Sequence, residues 1–506
     1  MSPMLLTFLV AAFSASCLAP VIGWICTRLN IVDRPDGNRK LHTTVVPLTG
    51  GPTLFLTILI AIAATLWYDA DVLKQSRGDF RFLIFLTFSA AVLVLVGLLD
   101  DRFGLRGRQK LFGQMIAAFI MLPSGIVIEQ VELFGIPLEF GVFSSLVTLF
   151  WILGAINALN LIDGVDGLAS TTGIVLSLSV AAVTMIMQGR PDGLLISLAL
   201  AGGLVGFLIY NFPPAKMFLG DSGSMLIGLV LGCVALKCSV KQYAAVALIM
   251  PTAIWAIPIF DVAMAIVRRR LTGRSIYATD RGHLHHCLVR KGHTGARLLV
   301  VVATLCAITG AGAIASALFQ NEWLALIAVV TALSLLVLSR SFGHAEMTLL
   351  GNRCRRIVAT IFRPREGRPV HHEQVRLQGH HEWTHLWEML TAIAEERQLA
   401  NVELMVNMPS VGEAYHASWR AHSNGEAHEI WRIEMPLIVD STRVGHIKLA
   451  GLAAGEFSDW FMMLGKSLQP FESDLERFVQ QIRRKPSSTT TGPVLVPPLV
   501  SEQLVT

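Results

Sequence analysis

Acidic side chains gather at three places in the chain, each beside a long apolar run. Asp100 and Asp101 end one run, Asp163 and Asp166 lie between two others, and Asp221 stands between glycines. Neighbouring carboxylates in a partly dry setting repel each other, and a divalent cation relieves that cost. All-oxygen ligands favour Mg²⁺ or Mn²⁺ over zinc, and Mg²⁺ is usually held by one or two carboxylates plus phosphate oxygens. These residues therefore predict a metal site for a phosphorylated substrate.

Histidines and basic residues accompany these carboxylates. The stretch DRGHLHH holds His283, His285 and His286, and Lys110 follows the first acidic pair. Each element alone has a simpler explanation: helix-end charge for Asp-Asp, turn chemistry for Asp-Gly, and an exposed turn for the histidines. Their recurrence in alternate loops favours one shared site that binds phosphates.

The apolar runs that must position these residues predict a membrane protein. The chain has 506 residues, 53% hydrophobic and 15% charged, whereas soluble domains carry about 25% charged residues. A span needs roughly 20 apolar residues. Eleven candidate spans meet this description, the ninth of them interrupted by Pro251 and Pro258: about 4–24, 51–69, 82–99, 111–128, 140–156, 168–188, 192–210, 223–238, 243–267, 298–318 and 323–339.

Loop charge predicts the orientation. Most Lys and Arg residues of the short loops lie in the same alternate set that carries the acidic motifs, which places that set in the cytoplasm. The N-terminus is then outside and the C-terminal part inside. The net charge of +5 suits anionic lipid and anionic substrates and gives no argument for nucleic acid. The seven cysteines show no metal-ligand spacing and imply no disulfide framework.

Three further features bear on the architecture. Residues 128–139 alternate around a Gly-Ile-Pro turn and predict a small hairpin. The two prolines of the ninth span predict a break that could shape a groove for lipid. Asp261 lies within the same span, where a structural hydrogen bond and a site role both stay open. The alternative to an enzyme is a cation- or proton-coupled transporter, whose acids would lie near mid-span.

The chain changes character after Arg340. We predict a polytopic domain over 1–340, a basic linker over 341–370, a small soluble α/β domain over 371–484 and a disordered tail over 485–506. Within the soluble domain, VRLQG and NVELMVNMP predict strands on either side of a helix from Trp383. A hairpin is predicted about Asp440-Ser441, followed by a closing helix. The fold class is thus mainly α: about 11 transmembrane helices plus a small C-terminal α/β domain.

The ordered motifs LLDDRFGLRGRQKLFGQ, NALNLIDGVDGLAS, NFPPAKMFLGDSGS and HLHH resemble those of the polyprenyl-phosphate N-acetylhexosamine-1-phosphate transferases, the WecA/MraY type, and HLHH is similar to the WecA branch. DRPDGNRKLHTTVVPLTGG is similar to the opening motif of the family. The resemblance covers about residues 1–340. It implies transfer of an amino-sugar 1-phosphate, most often from UDP-GlcNAc, to undecaprenyl phosphate at the inner leaflet, with release of UMP. It also implies a requirement for Mg²⁺, which Mn²⁺ can replace.

The resemblance also implies roles for single residues. Asp221 is the expected metal ligand, with Asp163 beside it as ligand or substrate positioner. Asp100 is expected to deprotonate or orient the lipid phosphate, and Asp101 to support the metal site. The residues expected to contact the nucleotide sugar are Asn160, Asp166, Asn211, Arg281, His283, His285 and His286. The residues expected to contact phosphates are Lys110 and Lys40.

The C-terminal region departs from the family pattern, since its members often end soon after the last span. Regulation, homodimerisation and docking of a downstream glycosyltransferase all remain open for it. The histidines near its start, including His381 and His385, have irregular spacing and are interpreted as solvated. The amino sugar, the downstream polymer and the choice between direct attack and a covalent intermediate are undecided by sequence.

Overall fold

A computed structural model describes most of the chain and divides it into two compact units, Met1–Thr348 and Leu349–Thr506. The residues described are 2–35, 44–69, 71–72, 74, 80–133, 136–187, 191–240, 249–271, 282–362, 371–378, 381–408, 411, 413–421, 430–452 and 457–484. The predicted domain boundaries at 340, 370 and 484 stay predictions.

Helices dominate the first unit. In chain order they are α1 Pro3–Arg28, α2 Gly50–Tyr68, α3 Phe80–Phe103, α4 Gly107–Met121, α5 Ser144–Ile162, α6 Leu168–Ile186, α7 Pro191–Asn211, α8 Gly220–Val240, α9 Ile249–Ile254, α10 Ala256–Leu271, α11 Leu284–Arg290, α12 Ala296–Phe319, α13 Glu322–Leu338 and α14 His344–Phe362. Short strand pairs join them: β1 Val32–Asp33 with β2 Val46–Pro47, and β3 Gln130–Leu133 with β4 Ile136–Glu139.

The described residues contain eight helices that are long and apolar enough to cross a membrane, with mean hydropathy from 1.5 to 2.8. They correspond to eight of the eleven predicted spans and confirm a polytopic, mainly helical membrane protein. Where the structure describes them, the other three predicted spans also contain helices, but these are shorter or divided. α4 has 15 residues, α13 has 17, and the ninth span is split between α9 and α10.

Small residues bring the helices of this unit close together. A Cβ at Gly202 of α7 would lie 2.3 Å from the carbonyl oxygen of Phe8 in α1, and one at Gly206 would lie 2.1 Å from that of Ala12. Between apolar helices in lipid, such close packing supplies the association energy that water expulsion supplies elsewhere. The same device recurs where the polar residues meet.

Two local predictions are confirmed. The ninth span breaks at Trp255, between α9 and α10, as its prolines predicted, because a proline ring removes a backbone donor and clashes with the preceding turn. The groove proposed from that break stays a prediction. The predicted hairpin is β3 paired antiparallel with β4, from Gln130 opposite Glu139 to Leu133 opposite Ile136.

Within its described residues, the second unit contains one sheet and two helices besides the rest of α14. Its elements are β5 His371–Gln378, α15 Thr384–Glu396, β6 Leu399–Met408, β7 Glu413–Arg420, β8 Ile430–Val439, β9 Thr442–Leu452 and α16 Phe457–Arg484. The strands form one antiparallel sheet in the order β5-β7-β6-β9-β8. Side chains of both helices and of the sheet share one buried core, which includes Trp387, Tyr415 and Phe471.

The α/β pattern was predicted, but one strand was missed. β7 reads EAYHASWR, whose alanines, serine and histidine carry too weak an apolar alternation to identify it alone. The predicted hairpin joins β8 to β9 through Asp440 and Ser441, at φ of 47° and 60°. Two consecutive positive φ angles suit the right-handed twist of the flanking strands.

Candidate functional site

Helix ends bring the acidic motifs together. α3 carries Asp100 and Asp101 in its last turn, and α8 carries Asp221 in its first turn. The two helices approach at Gly97, where a Cβ would lie 2.2 Å from Ser222 Cα. A Cβ at Gly51 of α2 would likewise lie 2.5 Å from Ser222 Cβ. Glycines therefore seat the start of α8 against two other helices, and larger side chains would displace it.

Asp101 caps the start of α8. Its Oδ1 accepts a hydrogen bond from the Asp221 backbone N–H at 2.8 Å, and its Oδ2 accepts from Ser222 Oγ at 2.9 Å and Ser222 N at 3.3 Å. The first N–H groups of a helix lack partners within it, and a carboxylate there also meets the positive end of the helix dipole. Both Asp101 oxygens are thus engaged in holding the backbone that presents Asp221. Gly220, at φ 72°, has no Cβ and therefore leaves room for the Asp101 carboxylate.

Lys110 lies between the carboxylates of Asp100 and Asp221. Its Nζ lies 3.0 Å from Asp100 Oδ2 and 2.8 Å from Asp221 Oδ1. The side chain of Asp100 is 8% exposed, that of Lys110 is 17% exposed and that of Asp221 is 35% exposed. Asp100 Oδ1 also accepts from the Leu105 N–H at 2.7 Å. Asp221 is therefore the member of this trio that an approaching ligand meets most readily.

The segment NALNLIDGVDGLAS, which joins α5 to α6, completes the cluster. Asn160 Nδ2 donates to Asp221 Oδ1 and, at 2.9 Å, to Ser224 Oγ, so this amide orients the Asp221 carboxylate. Asp163 directly follows the last residue of α5. Burial raises the pKa of its carboxyl well above the usual range, and the negative charges of Asp221 and Asp101 raise this pKa further. The cluster thus holds more negative charge than Lys110 balances.

This donor set fits a magnesium ion that completes its coordination with substrate. Among the described residues, no three His, Cys, Asp or Glu side chains are grouped closely enough to hold a metal by themselves. The available donors, at Asp221 and Asp163, are carboxylate oxygens with excess negative charge around them. Mg²⁺ is commonly held by one or two carboxylates together with phosphate oxygens and water. The residues present therefore match that incomplete kind of site.

The histidine motif lies against the same loop. His285 Nε2 abuts Gly164, where a Cβ would come within 2.4 Å of that nitrogen. The ring of His286 follows at 4.2 Å between centroids. Burial lowers the pKa of His285 well below the usual range, with the neighbouring His286 and His283 adding to the effect, so its ring is neutral. The histidine motif therefore meets the loop between α5 and α6 at Gly164, while its contact with the nucleotide sugar stays a prediction.

Two residues expected near the nucleotide are bonded to the protein itself. Asn211 is buried; it accepts from Ser170 Oγ at 2.7 Å and donates to the Met217 carbonyl at 2.9 Å. Asp166 Oδ2 accepts from the Ala215 N–H at 2.9 Å. Both hold the loop that leads into α8. Their contact with a nucleotide stays a prediction, as does that of Asn160.

Two predicted ligand contacts, Lys40 with phosphates and Arg281 with the nucleotide sugar, lie outside the described residues. Sequence reasoning, in turn, overlooked Ser222 and Ser224, which bind Asp101 and Asn160. It also overlooked Gln114, which accepts from Asn157 at 2.9 Å and donates to Met225 Sδ at 3.2 Å. Small and amide residues inside apolar helices are the signal that could have found them, since polar groups there need partners.

These features define an integral membrane protein with a polar, phosphate-suited site built at helix ends. A family model described as Glycosyl transferase family 4 matches residues 83–239. The chain is 31% identical over 290 residues to a probable undecaprenyl-phosphate N-acetylglucosaminyl 1-phosphate transferase of Bacillus subtilis, covering 56% of this chain and 77% of that protein.

Two other relatives agree. A decaprenyl-phosphate N-acetylglucosaminephosphotransferase of Mycobacterium leprae is 33% identical, covering 62% of this chain and 83% of that protein. An undecaprenyl-phosphate alpha-N-acetylglucosaminyl 1-phosphate transferase of Yersinia pestis is 31% identical, covering 60% of this chain and 82% of that protein. The chain belongs to the polyprenyl-phosphate N-acetylhexosamine-1-phosphate transferases of this family, which confirms the resemblance of its motifs.

Proposed function

We propose that this chain transfers N-acetylglucosamine 1-phosphate from UDP-GlcNAc to undecaprenyl phosphate at the inner leaflet of a bacterial membrane, with release of UMP. The observation that carries the proposal is Lys110 held between Asp100 and Asp221 at the converging ends of α3 and α8. The family membership supports the polyprenyl phosphate acceptor. The basic loops on the site side support the inner leaflet.

The reaction needs positioning and charge compensation more than covalent chemistry. An oxygen of the lipid phosphate attacks the β-phosphorus of the donor, the bond from that phosphorus to the bridging oxygen breaks, and the electron pair leaves with UMP. Asp100 orients the attacking phosphate and takes up its proton where one is present. A base is not essential, since the second pKa of a phosphate monoester is about 6. Direct attack is therefore sufficient.

Lys110 and the carboxylates have separate tasks in this scheme. The Lys110 ammonium offsets the charge of the incoming phosphates, while Asp101 and Asn160 hold Asp221 in place. Mg²⁺, held by Asp221 and Asp163, would stabilise the negative charge that develops on the departing UMP. Mn²⁺ offers the same ligand preferences. His283, His285 and His286 face the donor.

The test uses membranes from cells that express the full chain. Labelled UDP-GlcNAc, undecaprenyl phosphate and Mg²⁺ are supplied, and a butanol-soluble labelled lipid and UMP are measured. We expect product from the wild type, and almost none from Asp221→Ala or Asp100→Asn. The matched control is Asp71→Asn, at an 81% exposed aspartate paired with Lys74, which should retain wild-type activity.

The outcomes separate the reaction from the site. A wild type that makes no labelled lipid from UDP-GlcNAc or any other UDP-amino sugar would refute the enzyme. Full activity in Asp221→Ala would refute the site assignment and leave the reaction standing. Activity that survives removal of divalent cations by a chelator would refute the metal requirement.

A further inference from the structure

One fully buried carboxylate is not used by the reaction described above. Asp261 lies on α10 with no exposed surface. Its Oδ1 accepts from the Leu284 N–H at 2.9 Å, and its Oδ2 lies 3.2 Å from His283 Nδ1. An unpaired carboxylate buried in an apolar span is costly, so its partners determine what it does there. Both partners belong to the histidine motif.

The contact with His283 selects the state of that ring. A carboxylate accepts hydrogen bonds, so His283 Nδ1 carries a hydrogen and donates it to Asp261. In the neutral ring Nε2 is then the acceptor nitrogen, and its orientation follows from the bond on Nδ1. Asp261 thus determines both the tautomer and the direction of this imidazole.

A second residue of α10 holds the same segment. Arg268 follows Asp261 by seven residues, about two helical turns, and so shares its face of the helix. Its guanidinium lies against Gly282, where a Cβ would come within 2.2 Å of Cζ. Arg268 is buried and is paired with Glu346 at the start of α14. Residues 282–284 are therefore fastened to one face of α10 at two points.

This attachment reaches the acidic cluster through the next histidine. The rings of His283 and His285 are nearly parallel, at 5°, with centroids 6.1 Å apart. His285 Nε2 in turn abuts Gly164, the neighbour of Asp163. A shift of His283 would therefore displace the surface that the histidine motif and the Asp163 loop form together.

We propose that Asp261 is a positioning residue for the nucleotide-sugar donor. It acts through His283, whose tautomer it fixes, and through the Leu284 backbone, which it holds against α10. Asp261 itself touches no reacting atom. The proposal rests on the proposed function for the identity of the donor, and it answers the question that the sequence left open for this residue.

The test compares kinetic constants in detergent-solubilised full-length chain. In Asp261→Asn, one amide oxygen can still accept from Leu284, but the amide NH₂ faces His283 and reverses the tautomer. We expect KM for UDP-GlcNAc to rise about tenfold to a hundredfold, the range for a lost hydrogen bond to a charged group. KM for undecaprenyl phosphate should stay unchanged. Stabilisation by UDP-GlcNAc without acceptor, measured by thermal unfolding, should weaken in parallel.

Two further variants distinguish positioning from general stability. In a His283→Ala background, Asp261→Asn should add little to the KM change, because residues that act through one contact are not additive. Asp192 is the matched control. It is another buried aspartate, 1% exposed and paired with Lys237. Asp192→Asn should lower the melting temperature and leave KM for UDP-GlcNAc at the wild-type value.

The proposal is overturned if Asp261→Asn keeps the wild-type KM. Additive effects with His283→Ala, or an equal KM change in Asp192→Asn, would overturn it too. A wild type that forms no lipid product would refute the proposed function. Even then, the inference about Asp261 would stand if UDP-GlcNAc stabilised the wild type and Asp261→Asn weakened that stabilisation. It would fail if UDP-GlcNAc stabilised neither chain, or both equally.

Discussion

Two acidic residues, one in each unit, show how differently a carboxylate can be used. Asp221 in the membrane unit receives Lys110 and Asn160 and keeps 35% of its side chain exposed. Glu413 in the C-terminal unit is 3% exposed; it binds the His381 ring at 2.8 Å and Trp383 Nε1 at 3.3 Å. The first is oriented but left open to a ligand. The second is enclosed by its own fold.

The surroundings explain this difference. Around Asp221 stand three further acidic residues, Asp100, Asp101 and Asp163, so the cluster has negative charge in excess. Glu413 lies among the aromatic and aliphatic side chains of one core, where a buried polar group is stable only if it is bonded. Excess like charge at an accessible helix end is therefore the better sign of ligand binding, whereas a satisfied buried carboxylate acts on the residues that enclose it.

The largest effect is expected from Lys110→Met. The change keeps the aliphatic stem but leaves Asp100 and Asp221 without the cation between them. We expect kcat to fall by about 10²–10³-fold, the cost of removing one preorganised electrostatic group from an active site. Steady-state formation of labelled lipid measures it. A loss smaller than a few-fold would show that Lys110 only neutralises the resting site.

Gly97→Ala tests whether the glycine contact positions the site. The added methyl would enter the space of Ser222, and overpacking of this kind costs about 1–3 kcal/mol of stability. We expect lower thermal stability together with a clear loss of turnover, because the start of α8 must move. Gly154→Ala is the matched control, since a Cβ there meets nothing within 4 Å. Equal behaviour of the two variants would contradict this account.

Glu413→Gln tests the other half of the comparison. The amide keeps the size of the side chain but offers the His381 and Trp383 donors only one acceptor oxygen, which should cost about 1–3 kcal/mol. We expect faster proteolysis within residues 349–506 of the full-length chain and unchanged KM for UDP-GlcNAc. A raised KM would mean that the C-terminal unit contributes to donor binding.

The smallest effect is expected from His446 in β9. Burial lowers the pKa of its imidazole, and Lys448 and Arg443 act in the same direction, while Glu434 and Glu403 oppose them. Because the folded pKa lies below the unfolded value of about 6.5, protonation favours the unfolded state. Stability should therefore fall as the pH drops through 6.5 and towards the folded pKa, and be fully present above that range. Proteolysis of the C-terminal unit at pH 8 and pH 5.5 measures it, and His446→Gln should reduce the difference.

Much of this protein could be predicted from local sequence. Apolar runs identified the helices because a segment in lipid must satisfy its own backbone hydrogen bonds. The prolines of the ninth span identified its break at Trp255. Asp100, Asp163 and Asp221 predicted a site because acidic residues beside apolar runs are costly without a purpose, and the fold brings them together. The motif order then identified the family, which the comparisons confirmed.

Other features depended on contacts between residues far apart in the chain. Asp101 was expected to support the metal site; that role stays a prediction, and only the fold shows that Asp101 caps the start of α8, 120 positions away. Asn211 and Asp166 were expected at the nucleotide, and only the fold shows which loop they hold. β7 escaped notice because its partners, β5 and β6, supply the pairing that its own composition does not indicate.

Charge and hydropathy are properties of each residue and its near neighbours, so local sequence was enough to indicate which residues could take part in chemistry. Only the fold shows which of them lie together and which are bonded to the protein's own backbone. That arrangement rests on distances between helices that meet through glycine contacts at Gly51 and Gly97. Asp261 illustrates it: its burial in a span was visible in the sequence, while its partners in the histidine motif follow from how α10 packs.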